Sequence, residues 1–585
     1  MSRSAVPPLV HPTAHLGGAG LARLGMTLVF AVALLVALAV LLHFHDRFWS
    51  APDEGAYAHV AERVLAGETL NGTVQAVHLG YVTFVNALAF KLFGVDLVSL
   101  RYPLLIATLI QSALAFWLLA ARGALTAFAG ATAMSCLTFV QFLNPTAQWS
   151  ALFFCVLVIA LLSAREPEWR GTLELLGFML MALFLVRPLS GIFAAMGALA
   201  FLLLQEQRAA GRDRVRLSRG LALVMLVGLV LYLRARTDFA AALFFGTGPA
   251  LLLGFIFMST RLGDQATLRA LLRMVAGAGL AALPLLAYHL AQGSLESWAR
   301  DTLASVSSTA MSDPLASPGF GSLVFTGLDQ VFGGGGGSAL LNGVFWFLLP
   351  LLPACLAVLL LRALWLERPA GQAALPIIAC CFALVSVHAQ APFYLFFSTA
   401  LTLVALLFLG GEAGAHRRRA MGLAVACLLL SLIGLTYQAG QPLTRGWQGI
   451  VAGQTRTVVA PSGLPRAGLT VAAEEAALYG LLANLAQTHS AEGDSILALP
   501  NNAELYFLTQ RRNPLRFYNA ARGLRGTTDL KRVEALLSQD PPRLIFYRPS
   551  DRFATPLVRR LMAGLRGRYR LLETAGGFQI YLLSD

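Results

Sequence analysis

Two adjacent carboxylates, Asp53 and Glu54, stand in the stretch "RFWSAPDEGAYAHVAERVLAGE" (47–68), directly after an apolar run. A carboxylate can accept a proton from an attacking hydroxyl, or help to hold a metal ion. Ser50, Pro52 and the two acids also make a good helix start, because acids in a first turn complement the helix dipole without any chemistry. The choice between a catalytic acid and an ordinary helix start depends on where the stretch lies relative to the membrane, and the preceding apolar run bears on that position.

That apolar run belongs to a chain suited to a membrane. Hydrophobic residues make up 57% of the 585 residues and charged residues only 13%, and the mean hydropathy is +0.67. These values lie outside the range of soluble globular proteins. The six cysteines fall inside apolar stretches, without the spacing of a zinc site or a disulfide framework, and we interpret them as packing residues.

The apolar runs predict a polytopic α-helical membrane protein. About 13 runs have a length suited to crossing a bilayer, and they lie near 24–44, 102–121, 123–142, 146–163, 172–187, 189–205, 219–235, 239–259, 272–291, 342–362, 373–390, 393–411 and 420–438. The first run is longer than a signal-peptide core and lacks a convincing cleavage site after it, so we expect it to stay as an anchor. One kinked helix across Arg187 and Pro188 would change the parity of the spans, but the arginine distribution argues against it.

The net charge of +14 indicates orientation rather than nucleic acid binding. The arginines sit largely in short connectors that fall on one face together with the N-terminus, and the positive-inside rule makes that face cytoplasmic. The opposite, outer face then receives the loops 46–101 and 292–341 and the segment after Tyr437. Asp53 and Glu54 are therefore predicted at the outer boundary of the membrane, where a carboxylate can meet a lipid-anchored substrate.

The predicted organisation has two parts: a transmembrane domain at 1–439 and a small soluble α/β domain at 440–585. Strand patterns at 495–500, 543–549 and 578–583 alternate there with helical patterns at 474–489, 529–538 and 555–566. In the second outer loop, the glycine run "FGGGGGS" (332–338) predicts a mobile segment. A lid and a slack connector are both consistent with such a run.

Several motifs resemble those of a known family. "APDEGAYAHVAERVLAGE" and "VHLGYVTFVNALAFKLFGVDLVSLRYP" (77–103) look like the first outer loop of GT-C-fold glycosyltransferases. The resemblance is to the bacterial branch related to protein O-mannosyltransferases and lipid A aminoarabinose transferases, which is glycosyltransferase family 39-like. Those enzymes carry an acidic residue or Asp-Glu pair after the first span, then an amphipathic helix, a Phe/Leu-Gly and an Arg, matched here by Asp53-Glu54, Phe93-Gly94 and Arg101.

Two later stretches extend the resemblance over most of the chain. "QAPFYLFFSTALTLVALLFLG" (390–410) and "NAELYFLTQRRNP" (502–514) are similar to the family's late Tyr-containing span and soluble tail. The sequence departs from the pattern at His78-Leu79-Gly80-Tyr81, where many relatives carry His-Pro-Pro. It also has His388 and Gln390 before Tyr394, where many relatives have a basic residue, so the donor or acceptor head group is expected to differ.

The resemblance implies an inverting glycosyltransferase. A hexosyl or pentosyl group would move from a polyprenyl-phosphate donor to a hydroxyl of a glycolipid, glycan or protein, at the outer face of a bacterial inner membrane. The predicted partners are this donor, membrane lipids and an unidentified acceptor, with no nucleic acid. The undecaprenyl chain is inferred only from the bacterial character of the family.

The resemblance also assigns candidate roles to individual residues. Asp53 is the predicted base, and Glu54 would orient the acceptor or help to hold a metal. The donor phosphate would be bound by basic groups at the outer boundary, although each also fits a snorkelling interface residue: Lys91, Arg101 and Arg187. The expected substrate-binding residues are Tyr57, His78, Tyr81, His388 and Tyr394.

The sequence leaves metal binding open. His59, Glu62 and His78 lie near one another in sequence, but their spacing is not diagnostic of a metal site.

A lipid-linked sugar transporter or flippase would be expected to show ionisable residues in mid-membrane and often a repeated half, and no repeat is evident. An O-antigen-ligase-type enzyme would need Arg and His in a large late loop, where 292–341 offers only Arg300. A non-enzymatic envelope-assembly protein remains an alternative that should tolerate Asp53→Asn.

Overall fold

The computed structural model describes residues 16–164, 171–205, 214–260, 262–311, 319–333, 337–411, 417–440, 459–461 and 463–584. Helices form the described chain up to residue 440, because an apolar segment in lipid can satisfy its backbone groups only internally. In chain order these helices are α1 (Leu16–Phe44), α2 (Ala51–Leu65), α3 (Tyr81–Phe93), α4 (Tyr102–Leu119), α5 (Ala124–Cys136), α6 (Ala147–Ala164), α7 (Thr172–Val186), α8 (Pro188–Leu204), α9 (Arg216–Arg236), α10 (Phe239–Ala241), α11 (Thr247–Ser259), α12 (Asp264–Ala291), α13 (Leu295–Met311), α14 (Gly319–Phe332), α15 (Gly337–Trp365), α16 (Ala374–Phe382), α17 (Phe396–Gly410) and α18 (Arg417–Gly440).

The predicted apolar runs all fall on helices. Among the described residues, 10 helices are long and apolar enough to cross a membrane, and three further predicted runs coincide with the shorter apolar helices Thr172–Val186, Pro188–Leu204 and Ala374–Val387. Arg187 has an extended backbone (φ −153°, ψ 106°) and Pro188 opens α8, so this pair is two helices rather than one kinked helix. The predicted class, a polytopic helical membrane protein with a small C-terminal α/β region, is confirmed.

The second long loop, in which the glycine run predicts a mobile segment, has regular structure in its described part. Its described parts are helical, since α13 and α14 occupy Leu295–Met311 and Gly319–Phe332, and α14 packs along α15. Polar and apolar residues repeat at helical spacing in these stretches, a pattern that predicts amphipathic helices. The interpretation of the loop from its sequence was based on the glycine run and did not use this pattern. Residues 334–336 of that run lie outside the described part, so the predicted mobility is not addressed there.

The C-terminal region is a small α/β unit. Its strands are β1 (Val459–Pro461), β2 (Thr470–Ala472), β3 (Ile496–Leu499), β4 (Leu544–Tyr547), β5 (Tyr569–Ala575) and β6 (Phe578–Leu583), and its helices are α19 (Ala473–His489), α20 (Ala503–Thr509), α21 (Ala520–Gly523), α22 (Thr527–Gln539) and α23 (Pro556–Leu565). The main sheet has the order β3-β4-β6-β5. β3 and β4 are parallel, whereas β6 is antiparallel to both of its neighbours.

The sequence located most of this unit. The three predicted strands are β3, β4 and β6, and the three predicted helices are α19, α22 and α23. The sequence did not indicate β5, an edge strand with mostly half-exposed or exposed residues, because it lacks the apolar character that marks a buried strand. The predicted domain boundary at 439/440 stays a prediction, since residues 441–458 lie outside the described ranges.

The C-terminal unit is bound directly to the first loop. The Phe48 N–H donates to the Thr470 carbonyl over 2.7 Å, and the Thr470 N–H donates to the Asp46 carbonyl over 2.7 Å. Further along, the Leu97 N–H donates to the carbonyl of Arg466 over 2.9 Å. Both ends of the first loop are therefore fixed by backbone hydrogen bonds to β2 and its approach, and α2 between them packs on α20.

Candidate active site

The two acids of the first loop have different environments. Both lie in the first turn of α2, after Pro52, as the helix-start pattern predicts. Successive residues of a helix point about 100° apart, so neighbouring side chains leave the helix in different directions. Glu54 has no exposed surface, whereas the Asp53 side chain is solvent-accessible.

Glu54 forms a buried ion pair with Arg101. The Arg101 Nη2 lies 2.7 Å from Glu54 Oε1, and neither side chain is exposed. The same guanidinium donates to the carbonyls of His45 (2.7 Å), Arg47 (3.0 Å) and Phe48 (2.5 Å). Glu54 therefore cannot reach an acceptor or a metal, and Arg101 cannot reach a donor phosphate. This placement does not fit the predicted roles; the pair instead ties the start of α2 to the end of α1.

Asp53 is accessible although protein surrounds it. The surrounding protein raises the pKa of its carboxyl above the ordinary value of 3.8, and the positive charges of Arg552 and Arg522 oppose that rise. The Ser50 Oγ donates to Asp53 Oδ2 over 3.4 Å. A group that water can reach while protein encloses it lies in a recess, which we call the Asp53 recess.

Tyr57 and His78 form a hydrogen-bonded pair in the same region. Tyr57 lies one helical turn after Asp53 and is buried, and its hydroxyl is 2.8 Å from His78 Nε2. The Ala147 N–H also donates to this hydroxyl, over 3.4 Å. Burial lowers the pKa of His78, and the nearby Arg187 charge lowers it further. Since both Arg187 and Asp53 act on the Tyr57 hydroxyl, Tyr57 lies within electrostatic range of both.

Arg187 is the predicted phosphate ligand whose position fits that role. It occupies the extended residue between α7 and α8 and is half-buried. In the described part of the chain, no carboxylate lies within 4.0 Å of its guanidinium. Its charge acts on His78 and also on His388. A guanidinium that has no carboxylate partner among the described residues and acts on two histidines makes a site suited to an anion.

His388 and Tyr394 approach the recess from the connection before α17. Both are half-buried, and their ring centroids are 6.3 Å apart. The electrostatic contact between His388 and Arg187 brings this connection to the break between α7 and α8. Four of the predicted binding residues, Tyr57, His78, His388 and Tyr394, are therefore gathered around Arg187 or its neighbours.

Lys91 and Tyr81 have other positions. Lys91 is exposed near the end of α3 and lines a surface groove with Val64, Phe84 and Tyr288, so the snorkelling interpretation fits it better. The Tyr81 hydroxyl donates to the Ala281 carbonyl of α12. Tyr81 thus connects two helices, and its predicted role in substrate binding has no support from this contact.

His59, Glu62 and His78, the residues considered for a metal site, have separate partners. His59 stacks on Tyr506 at 5.0 Å and lies 3.3 Å from Asn513 Nδ2, while Glu62 pairs with Arg466 at 2.5 Å. His78 faces Tyr57 instead. Within the described residues, no three His, Cys, Asp or Glu side chains are grouped so that they could hold a metal, and the need for a metal stays open.

Two features of the site were not indicated by the sequence. Arg522 and Arg552, in the C-terminal unit, act on Asp53 from almost 500 residues away in the chain. Gly55 touches Glu504: a Cβ built on Gly55 would lie 2.3 Å from both the Cα and the backbone nitrogen of Glu504. The fold creates these long-range contacts, and only the Gly within "DEGAY" offered a local signal of close approach.

No family model matches the chain, and no curated protein matches it. Among solved structures, two matches extend over nearly the whole chain. One is ArnT from Cupriavidus metallidurans bound to undecaprenyl phosphate, with 15% identity, a TM-score of 0.38 and coverage of 97% of this chain and 98% of that chain.

The second match is the same ArnT in the apo state, with 14% identity, a TM-score of 0.39 and coverage of 96% and 98%. At these identities and TM-scores, the two matches say nothing about the site residues or the activity of this chain.

Proposed function

We propose that this chain is an inverting membrane glycosyltransferase. It moves a sugar from a polyprenyl-phosphate donor, undecaprenyl in a bacterium, to a hydroxyl of a glycolipid, glycan or protein at the outer face of the inner membrane. One observation carries the proposal: an accessible carboxylate, Asp53, and a guanidinium without a carboxylate partner among the described residues, Arg187, both act electrostatically on Tyr57 of the hydrogen-bonded Tyr57–His78 pair. A base and an anion-binding group are the two elements that such a displacement requires.

Arg187 supports the donor half of the reaction. It lies where two apolar helices meet, and in the proposed orientation this junction is at the outer membrane boundary, where the phosphate of a lipid with its tail in the bilayer would lie. A guanidinium binds phosphate through two parallel hydrogen bonds. The neutral imidazoles of His78 and His388 can add hydrogen bonds without adding charge. As the bond from the anomeric carbon to the phosphate oxygen breaks, Arg187 stabilises the negative charge on the leaving polyprenyl phosphate.

Asp53 supports the acceptor half. The acceptor oxygen forms a bond to the anomeric carbon from the face opposite the phosphate, and its proton passes to the Asp53 carboxylate. Burial raises the pKa of Asp53 above its ordinary value, so its carboxylate is a stronger base than that of an ordinary aspartate. Tyr57 lies within range of both groups and can orient the sugar between them.

The proposed topology places the recess on the outer side. The N-terminus would be cytoplasmic, and the C-terminal unit, which packs on α2, would lie outside the membrane on the opposite face. Both assignments rest on the arginine-rich connectors and the positive-inside rule. With this orientation, a lipid-anchored donor and an acceptor from the aqueous side reach the recess from different directions.

The direct test is sugar transfer by the purified full-length protein in nanodiscs, with an undecaprenyl-phosphate sugar as donor and an envelope extract as acceptor. Asp53→Asn should lower the rate about 10²–10⁴-fold, the usual contribution of a general base, and leave binding of labelled undecaprenyl phosphate intact. Arg187→Gln should weaken that binding, and Arg187→Lys should restore it only in part.

The matched control is Asp46→Asn, in the same loop, where the side chain faces His45 at 3.9 Å; it should keep the wild-type rate. Wild-type transfer by Asp53→Asn would remove Asp53 from the mechanism. If labelled lipid crossed the membrane chemically unchanged, the chain would be a flippase and not a transferase.

A further inference from the structure

The connector between α5 and α6 ends beside the Tyr57–His78 pair. It covers residues 137–146, and α6 begins at Ala147. The Ala147 N–H donates to the Tyr57 hydroxyl over 3.4 Å, and that hydroxyl lies 2.8 Å from His78 Nε2. The start of α6 therefore belongs to the same site, although nothing in the sequence marked it as a candidate.

The start of α6 is also joined to two other breaks between helices. The Ser190 Oγ donates to Gln148 Oε1 over 3.1 Å, and Ser190 lies in the first turn of α8, three residues after Arg187. On the other side, the rings of Phe142 and Phe393 stack with their centroids 4.4 Å apart, and Phe393 belongs to the connection before α17. In the proposed orientation the span before each of these breaks runs toward the outer face, so all three lie on that side.

Two buried amide side chains at the start of α6 leave hydrogen-bonding atoms unused. Asn144 is 1% exposed and Gln148 is 2% exposed. Within the part of the chain that the structure describes, both polar atoms of the Asn144 amide and the Gln148 Nε2 lack a hydrogen-bond partner. An unpaired buried polar atom costs about 1–3 kcal/mol, so native proteins keep few of them, often for a function. Together these atoms offer two nitrogen donors and one oxygen acceptor.

The group that matches these atoms is an uncharged one with several hydroxyls. A hydroxyl can both donate and accept a hydrogen bond, so two neighbouring hydroxyls can pair with both atoms of one amide. A carboxylate could not donate to the Asn144 oxygen, and an ammonium could not accept from the two nitrogens. An ammonium would also lie near the positive charge of Arg187, one helical turn from the serine that binds Gln148.

We infer that Asn144 and Gln148 bind hydroxyl groups of the transferred sugar and select an uncharged sugar with two neighbouring free hydroxyls. This inference rests on the proposed transferase function and names the class of its donor sugar. The sugar is bonded to the donor phosphate, so a phosphate at Arg187 brings the ring to the start of α6. Arg187 and Thr146 are half-buried and form an accessible rim, and rotation of the two amides toward this rim presents them to the sugar.

The first measurement needs no substrate. Asn144→Leu replaces an amide that has no partner among the described residues with an apolar group of similar size, so the thermal unfolding temperature of the solubilised protein should stay unchanged or rise. An amide that stabilises the fold, directly or through ordered water, would instead make this variant clearly less stable. Such a loss of stability would overturn the inference.

The second measurement uses the full-length protein in nanodiscs. The donors are undecaprenyl-phosphate hexoses and pentoses, their singly deoxygenated forms and the matching amino sugars, with an envelope extract as acceptor. The wild-type protein should prefer the parent sugar over the deoxy form that lacks a bound hydroxyl, and over the amino sugar. In Asn144→Leu, kcat/KM for the parent sugar should fall at least about tenfold, while kcat/KM for that deoxy form should change little.

Gln148→Met provides a second variant, which keeps the length of the side chain and removes the free amide nitrogen. It should reduce the preference for the parent sugar in the same way, with a different deoxy form as the insensitive donor. Binding of labelled undecaprenyl phosphate without a sugar should remain at the wild-type level in both variants, because the phosphate contacts are untouched.

The matched control is Thr172→Val. The Thr172 hydroxyl is also buried and without a partner among the described residues, but it lies at the opposite end of α7 from Arg187, about 20 Å away along the helix. The control should match Asn144→Leu in stability and keep the wild-type preference among sugars.

An unchanged preference in Asn144→Leu and Gln148→Met, or better transfer of an amino sugar than of its parent by the wild-type protein, would overturn the inference. Failure of the wild-type protein to bind labelled undecaprenyl phosphate would instead overturn the proposed function itself.

Discussion

Asp53 and Glu54 differ by one methylene group, and their surroundings decide what each can do. Glu54 points into the protein, where the guanidinium of Arg101 balances the charge of its carboxylate. The same guanidinium donates a hydrogen bond to the His45 carbonyl at the end of α1. Asp53 points into a recess that water reaches. The pair that looks like one chemical unit in the sequence is therefore one structural acid and one candidate base.

Glu54→Gln should destabilise the protein strongly. The substitution leaves the Arg101 guanidinium buried without a counter-charge, a loss that typically costs about 3–5 kcal/mol. Thermal inactivation of the detergent-solubilised protein should therefore begin at a clearly lower temperature, while the surviving molecules keep near-normal donor binding. Glu68→Gln is the control, because its pair with Arg63 is partly exposed and such pairs contribute about 0–1 kcal/mol. Equal losses in the two variants would contradict the special role of the buried pair.

The pH dependence of transfer should reflect Asp53. A general base must be deprotonated, so kcat/KM should fall as the pH drops through the pKa of Asp53. Since burial raises that pKa above 3.8, the midpoint of the acidic limb should lie above pH 3.8. The measurement is kcat/KM from about pH 4 to 8, with the residual activity of Asp53→Asn as reference. A limb of the same midpoint in Asp53→Asn would assign the titration to another group.

The helix α2 has two functional faces. Asp53 and Tyr57, four residues apart, face the recess. Gly55, His59 and Glu62 lie on the side that contacts the C-terminal unit, at Glu504, Asn513 and Arg466. Spacings of four and three residues keep each set on one side of a helix. The contacts on one face therefore fix the rotation of the helix and hence the direction of the reactive side chains on the other.

Gly55→Ala tests this coupling. The new Cβ would lie 2.3 Å from the Glu504 backbone, a separation that only movement of α2 or α20 can relieve, so we expect a destabilisation of about 1–3 kcal/mol together with loss of transfer. Gly480→Ala on α19 is the control, because nothing lies within 4 Å of its Cβ. Alanine there should be neutral or slightly stabilising. Full transfer activity in Gly55→Ala would show that the close approach does not position Asp53.

The sequence predicted elements better than it predicted contacts. Hydrophobic length located the membrane helices and three of the four strands of the main sheet, because those properties are local. Asp53 and Arg187 were also named as candidates from local position, and their roles stay predictions. The partner of Glu54 and the cations Arg522 and Arg552 were not, since they depend on which distant segments the fold brings together. Arg101 was recognised as important but given the wrong neighbour, a substrate phosphate in place of Glu54.

At the scale of the whole molecule, the site is shared between the membrane helices and the C-terminal unit. One hydrophobic cluster includes residues of both, such as Tyr57, Phe90, Tyr506 and Phe507. The ring centroids of Phe90 and Phe507 are 5.6 Å apart. The C-terminal unit thus forms part of the core that surrounds α2.

The proposed orientation predicts opposite locations for two reporter fusions. A fusion after Ala420, next to the arginine-rich start of α18, should report the cytoplasm, and a fusion after Gly440, at the end of the same helix, should report the outside. Paired alkaline phosphatase and fluorescent-protein reporters measure both sides. Two cytoplasmic readings would contradict the orientation and would move the Asp53 recess to the other face of the membrane.

The contact between Gly55 and Glu504 also sets the order in which the protein can mature. The two residues are separated by 449 positions, from 504 minus 55, and a ribosome that adds about 5–20 residues per second needs tens of seconds to cover that distance. During this time α2 has left the ribosome but lacks the surface that fixes its rotation. The recess is therefore completed at the end of synthesis, so an interrupted chain with its membrane helices already inserted would lack an assembled site.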